Sequence, residues 1–347
     1  MRAAILGAGS IGMTTGALIA KNGGQVDLID SFEGNVIALN EKGATVTGTL
    51  DFNVPATALT PEQMTGIYDL VVLLCKQTAS KEALESLLPH LGPESVVCTL
   101  QNGIPEETVA QYVGWERTMG GIVCFGATWK APGVVECTSE AMDKVLFVIG
   151  EPSGKITPRL LEVQKFLGQA GVCNISENLM GERWLKVMIN AAMSGMSAAL
   201  GCTYGDVMDN EVALRAAAHI FSEAIKCCHG RGYHMELLDG HDMEKLEIND
   251  PADIPGNMET IRTLWAPHRR LKDSMLQDLE KGRATEIDAI DGKVCDTGRE
   301  VGVPTPYSDM VVACVKAAER FRTVMPMEEG LRFFAALDSL EQSCTKR

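Results

Sequence analysis

The chain has 347 residues, 46% of them hydrophobic and 22% charged, with a formal net charge of -15. That length suits two domains, each with ample core, and the acidic surplus excludes nucleic acid and anionic membrane as partners, because both are repelled at long range. No run reaches the ~20 apolar residues of a membrane span, and the nearest, 187–200, is interrupted by Asn190.

The first element is the short apolar run Ala3-Ala-Ile-Leu6, which reads as a buried strand and leads directly into Gly7-Ala-Gly9-Ser-Ile-Gly12. In a strand–turn–helix setting, the first glycine permits the tight turn, the second lets a pyrophosphate approach the backbone, and the third lets helix and strand pack closely. A helix is expected over 9–21 and a strand over 25–30. That strand ends in Asp30, where a carboxylate can accept hydrogen bonds from an adenosine ribose. The backbone and side chains of Gly7, Ala8, Gly9, Ser10, Ile11 and Gly12, together with Asp30, therefore form a candidate dinucleotide cradle. A secretory leader is not expected, since Arg2 and the apolar residues after it already belong to this strand.

Beyond Asp30 the pattern alternates. Helices are expected over 34–42 and 78–90, and strands over 68–74, 95–100 and 118–125, a βαβ rhythm that implies a mostly parallel sheet covered on both faces. The runs 133–138 and 145–150 read as two further strands extending that sheet. A helix over 157–168 and a strand over 172–175 finish the first domain, 1–178. From 179 to 347 the pattern becomes helical, with helices expected over 182–200, 210–229, 257–281, 286–301 and 306–321. Between them, the acidic stretch 235–258 with Pro251 and Pro255 reads as a solvated excursion.

The eleven cysteines are an odd number with no C-x-x-C pair, and Cys75, Cys98 and Cys124 sit in or beside apolar strand-like runs. Reduced thiols in a cytoplasmic protein are expected, not a disulfide framework. The neighbours Cys227 and Cys228 would bridge only with strain. His229, His234 and His241, near Asp242 and Glu244, match no metal-ligand spacing, so surface histidines and no metal are expected.

The chemistry of a nucleotide domain belongs at the carboxyl ends of its strands. Cys75-Lys76-Gln77 ends one strand and offers an ammonium; Leu100-Gln101-Asn102-Gly103 ends the next and offers an amide to a ribose or a substrate oxygen. Each also fits an ordinary polar strand end. On the helix over 182–200, Lys186 and Asn190 are four apart and share a face. Burying them without partners is costly, so they either meet solvent or line a polar cleft. Ser274-Met-Leu-Gln-Asp278 and Thr285-Glu286-Ile-Asp288 read equally as an amphipathic helix and a helix start.

Taken in order, Gly7–Gly12, Lys76, Asn102-Gly103, Trp184-Leu-Lys186 with Asn190, Ser274 to Asp278, Thr285 to Asp288 and Gly302-Val-Pro304 make the chain resemble the ketopantoate reductase (2-dehydropantoate 2-reductase) family. The likeness runs from Met1 to about Phe321. It implies an α/β protein with an N-terminal Rossmann-type dinucleotide-binding domain, an all-helical C-terminal domain, a cleft between them as active site, and a homodimer. Residue by residue, Lys186 resembles the family's proton donor and Glu286 the carboxylate that polarises the reacting site and borders the cofactor. Asn190 and Ser274 resemble substrate-binding groups, Asn102 a residue touching both cofactor and substrate, and Lys76 a cofactor contact.

Two departures bear on specificity. NADPH-using members often carry an arginine after the second strand, where this chain has Asp30-Ser31-Phe32; a carboxylate there repels a 2′-phosphate, so NAD(H) is expected over NADP(H). One turn beyond Asn190, where the family usually repeats an asparagine, Ser194 takes the substrate-side position. The expected reaction is hydride transfer between NAD(H) and a 2-oxo or 2-hydroxy acid, with ketopantoate to pantoate leading. Alternatives are another oxo or hydroxy acid in a catabolic route, an opine-type dehydrogenase, or a nucleotide-responsive binding protein, which the presence of both Lys186 and Glu286 disfavours.

Overall fold

A computed structural model describes residues 1–140 and 142–345, the side chains of 341–345 excepted. Two compact units emerge, Met1–Gln101 with Pro105–Glu182, and Asn102–Ile104 with Arg183–Arg347.

The first unit opens with β1 (Ala3–Leu6), α1 (Ser10–Lys21), β2 (Asp27–Ile29) and α2 (Glu33–Lys42). Three short strands follow, β3 (Ala44–Gly48), β4 (Phe52–Val54) and β5 (Thr57–Leu59). Next come β6 (Tyr68–Leu73), α3 (Ser80–Leu87), β7 (Leu91–Thr99), α4 (Glu106–Val113) and β8 (Thr118–Val123). The unit closes with β9 (Ala127–Ala131), β10 (Val134–Cys137), β11 (Val145–Gly150), α5 (Pro158–Leu167) and β12 (Val172–Ile175).

Eight of these strands form one sheet in the order β12-β11-β8-β7-β6-β1-β2-β5, parallel except where β11 runs against β8. Six consecutive strands from one edge, β5-β2-β1-β6-β7-β8, have the doubly wound Rossmann order, whose direction of winding reverses between β1 and β6. Both faces of β1 are covered: Ala3 and Ile5 pack with Met13, Leu28 and Val72, whereas Ala4 and Leu6 pack with Val71, Leu73 and Leu84. This double burial explains why the strand reads as an unbroken apolar run.

One expectation fails here. β10 does not extend the main sheet; it pairs in parallel with β3 and in antiparallel with β9, within a separate four-stranded sheet of order β4-β3-β10-β9. The cause is the hairpin at 132–133, where Gly133 takes a positive φ of 73° and carries the chain back beside β9.

The second unit is helical: α6 (Leu179–Ile189, which starts in the first unit), a π-helical turn (Asn190–Gly195), α7 (Met196–Leu200), α8 (Tyr204–Asp209) and α9 (Glu211–Gly230). After it come α10 (Asp253–Trp265), α11 (Ser274–Glu280), α12 (Asp291–Val301), α13 (Pro306–Phe321) and α14 (Met327–Thr345). The Asn210 side chain caps α9 by accepting from the amides of Val212 and Ala213. The helix expected over 257–281 is two helices, because Pro267 removes a backbone donor and forces a tight turn after Trp265, before Asp273 caps α11 anew. The helix expected from 286 begins only at Asp291, after a 3-10 turn at Ile287–Ala289. The acidic stretch is not a solvated excursion: Met243, Leu246, Ile248, Ile254 and Met258 are buried, and Asn257 donates to the Leu246 carbonyl at 2.8 Å. Among the described residues, no helix is long and apolar enough to cross a membrane.

Candidate active site

The turn between β1 and α1 is built by steric necessity. Gly7 has φ +107°, and a Cβ there would lie 2.2 Å from the Cys75 amide nitrogen at the end of β6. At Gly12 a Cβ would fall 2.0 Å from the Gly7 carbonyl oxygen, so the helix packs against its own turn. Gly9 differs, for a Cβ there would meet nothing within 4 Å. It is the N-cap of α1 and brings no side chain to that helix end. An exposed, uncapped helix N-terminus beside bare glycine suits a pyrophosphate, which takes up the first-turn N–H groups and their dipole. The amides of Gly7 and Ala8 both donate to the Ile29 carbonyl, at 2.9 and 3.0 Å, and so hold the turn against the end of β2.

Asp30 follows immediately. Its Oδ1 accepts from the Phe32 amide at 2.9 Å and its Oδ2 from Asn35 Nδ2 at 2.8 Å. Asn35, which sequence reasoning did not single out, is 1% exposed. The same amide group donates to the Ala8 carbonyl at 3.0 Å and accepts from the Gly133 amide at 2.8 Å. Each carboxylate oxygen of Asp30 keeps acceptor capacity beyond these bonds, as a ribose contact would need.

At the ends of β6 and β7, Lys76 is exposed and Gln101 is buried. Gln101 Nε2 donates to the Cys75 carbonyl and to Ser80 Oγ, both at 2.8 Å, pinning the segment that carries Lys76 to the start of α3. Gln101 is a second residue that the motif reading passed over, although it stood beside Asn102.

In the helical unit, Asn102 Nδ2 donates to Glu286 Oε2 at 3.2 Å across 184 residues of sequence. Glu286 is 9% exposed and sits just ahead of the 3-10 turn that precedes α12. Lys186 and Asn190 are half-buried, one turn apart, at the point where α6 widens into the π turn. Such turns are frequent at functional sites. The buried Asp291 presses on this one: a Cβ on Gly195 would lie 2.7 Å from its Oδ1, and burial holds the Asp291 carboxyl well above its usual range. Ser194 is 2% exposed and shares a 2.7 Å hydrogen bond with Tyr204 Oη. Ser274, at the first position of α11, is exposed. The structure thus joins Asn102 to Glu286 and puts Lys186 beside Asn190, while Ser194 lies inside the helical core.

A doubly wound sheet with a glycine turn at its winding reversal defines a dinucleotide-binding α/β protein, and here a helical unit bearing a lysine, a carboxylate and amides follows it. The comparison with known sequences makes this specific. The profile described as ketopantoate reductase PanE/ApbA matches residues 3–152, and that of the C-terminal domain of the same family matches residues 178–319. The chain belongs to this family and is an NAD(P)-dependent oxidoreductase of the 2-dehydropantoate 2-reductase type, acting on CH–OH groups. The 2-dehydropantoate 2-reductase of Pyrococcus horikoshii is 31% identical over 322 residues, covering 92% of this chain and 98% of that one. Among solved structures, D-mandelate dehydrogenase with NADH and anilino(oxo)acetate superposes with a TM-score of 0.79 at 22% identity, covering 93% and 99% of the two chains. A PanE/ApbA family ketopantoate reductase from Ralstonia eutropha JMP134 gives 0.78 at 24% identity, with the same coverage.

Proposed function

We propose that this protein reduces a 2-oxo acid to the 2-hydroxy acid with NADH, ketopantoate to pantoate being the leading reaction. The observation that carries the reading is the hydrogen bond between Asn102 and Glu286, which gathers an amide and a buried carboxylate from distant parts of the chain. Lys186 acts as proton donor. As the substrate's carbonyl carbon takes up hydride, charge builds on its oxygen, and an ammonium beside that oxygen stabilises the charge and delivers the proton. The hydride is the chemistry a bound nicotinamide supplies. Glu286, oriented by Asn102, polarises the site, and Asn190 and Ser274 bind the carboxylate and hydroxyl of the substrate. Ser194 contributes from behind, fixing the π turn that presents Asn190 through its bond to Tyr204.

Gly7 to Gly12 hold the pyrophosphate, Lys76 meets cofactor oxygens, and Asp30 takes the ribose diol. A second negative charge beside Asp30 would be repelled, which favours NADH over NADPH. The assembly proposed is a homodimer formed through the helical unit, in keeping with the exposure of Phe321 (70%) and Phe333 (46%) on its surface.

The deciding experiment is a panel of 2-oxo acids, ketopantoate and phenylglyoxylate included, assayed with NADH and NADPH side by side and without added amine. Fastest turnover of ketopantoate with NADH is the expected result. Faster turnover of another oxo acid moves the assignment to a related dehydrogenase, and a requirement for an amine moves it to the opine type. Sedimentation of the purified protein checks the dimer.

A further inference from the structure

The segment after α9 folds back on the end of that helix. Asp239 and Gly240 both take positive φ, 49° and 83°, closing a tight turn whose flanks, Leu238 and His241, form a β-bridge. Beyond it, the 3-10 turn Met243–Leu246 buries Met243 and Leu246 and carries Glu244 on its polar side. Glu244 there meets His229 from the last turn of α9 and His234 from the loop. One donor atom from each of the three residues lies within 4.8 Å of the others.

We propose that His229, His234 and Glu244 bind a divalent transition-metal ion of the zinc class, clipping this segment to α9. Three features of the cluster point to a cation. The Nδ1 of His229 is 3.0 Å from Glu247 Oε2. A carboxylate on Nδ1 holds the ring in the tautomer whose Nε2 lone pair is bare, the arrangement common behind metal-bound histidines. That Nε2 is buried and 3.1 Å from Glu244 Oε1, yet it lacks the alignment of a hydrogen bond. A lone pair facing a carboxylate oxygen is repulsive unless positive charge stands between them. His234 Nδ1 approaches the other oxygen, Oε2, at 3.3 Å.

The two nitrogen–oxygen separations, 3.1 and 3.3 Å, are those of ligands on one ion, and a small rotation of the exposed His234 ring closes the remaining gap, which is within 4.8 Å. Nitrogen and oxygen donors each about 2.1 Å from zinc, at angles of about 90–109°, stand roughly 3.0–3.4 Å apart. The mixed imidazole–carboxylate donor set selects zinc or its neighbours over calcium and magnesium, which prefer oxygen alone. Three protein ligands leave the fourth position to water. Nothing in the proposed reductase chemistry uses these residues, so the ion is a structural clip.

The test is calorimetric titration of ZnCl2 into untagged, chelator-stripped full-length protein. One ion per chain is expected, together with a rise in the melting temperature. The exposed His234 allows a clean variant: His234→Ala should fold as the wild type does and bind zinc at least tenfold more weakly. Glu247→Gln should weaken binding by about tenfold or more without abolishing it. Cobalt substitution separates this site from the cysteines, since nitrogen and oxygen ligands give no thiolate charge-transfer band. Absence of saturable uptake, full affinity in His234→Ala, or a thiolate band overturns the proposal and leaves the cluster an imidazolium held by two carboxylates.

Discussion

Asn35 Nδ2 donates to Asp30 Oδ2 at 2.8 Å and, from the same nitrogen, to the Ala8 carbonyl at 3.0 Å, so one buried amide sets the acid that ends β2 against the glycine turn. Asn35→Ala should therefore act on cofactor binding before chemistry. NADH affinity, followed by fluorescence titration, is expected to fall about tenfold, with kcat at saturating NADH nearly unchanged. Unfolding in urea should show a loss of about 1–3 kcal/mol, because the Ala8 carbonyl and the Gly133 amide lose their partner. Unaltered NADH affinity would show that the orientation of Asp30 is irrelevant to the cofactor.

Asp30 itself decides between the two nicotinamide cofactors. Its carboxylate favours a ribose diol and opposes a phosphate. Asp30→Ala should lower kcat/KM with NADH and raise it with NADPH, changing their ratio by more than tenfold. A ratio that stays constant would move cofactor discrimination to other residues.

Gly9 and Gly12 separate folding from binding. At Gly12 an added methyl group meets the Gly7 carbonyl, whereas at Gly9 it meets only open space. Gly9→Ala should melt as the wild type does and bind NADH poorly, since its methyl group stands where a pyrophosphate would approach. Gly12→Ala should lose both melting temperature and affinity. Equal melting losses in the two variants would contradict this division.

The glycine turn was legible in the sequence because its constraint is local: a positive φ at Gly7 and a close carbonyl at Gly12 admit no other residue, and the motif records that directly. Asn35 was not, since an asparagine in the first turn of a helix looks like any other until Gly133 is brought to it from far along the chain. The same holds for the sheet position of β10, which depends on β3 some ninety residues earlier. The π turn after Ile189 packs at Gly195 against Asp291, a residue about a hundred positions later, and the helical pattern over 182–200 gave no hint of it. Pro267, by contrast, was a plain stop signal that an unbroken helical reading of 257–281 passed over. Asn102 and Glu286 were connected only through the family resemblance; no local pattern announces a hydrogen bond across 184 residues.

Glu223, on α9, gives the helical unit a pH dependence of its own. Its two oxygens accept from the Tyr307 amide at 2.9 Å and from the Ser308 amide and hydroxyl at 2.9 and 2.6 Å, capping α13. Burial outweighs these bonds and pushes the carboxyl from 4.5 up to about 7. The folded chain therefore binds the proton more tightly than the unfolded one. The resulting stabilisation is complete below about pH 4.5 and declines by up to roughly 3 kcal/mol as pH rises to 7. Glu223→Gln removes the titration and turns an amide donor towards the donors of Ser308. Urea unfolding at pH 5, 6 and 7 should show a less stable variant with a flatter slope; identical slopes would assign the pH dependence elsewhere.

Lys186 carries the heaviest chemical claim, and its variants distinguish a proton donor from a structural lysine. A donor acts in the transition state, so Lys186→Ala should lower kcat by about 10²-fold or more while the KM for NADH stays close to that of the wild type. The alkaline limb of the pH–rate profile, where the ammonium loses its proton, should disappear with the side chain. Lys186→Arg keeps the charge without an exchangeable proton of suitable acidity, so it should recover substrate binding but little turnover. Glu286→Gln keeps an oxygen for Asn102 Nδ2 and removes only the charge. Its loss should accordingly be smaller than that of Lys186→Ala and appear mainly as a shifted pH profile. Near-normal turnover in Lys186→Ala would transfer the proton-donor role to another group, whereas an equal loss in the arginine and alanine variants, with the pH limb gone from both, ties the catalysed step to a lysine proton.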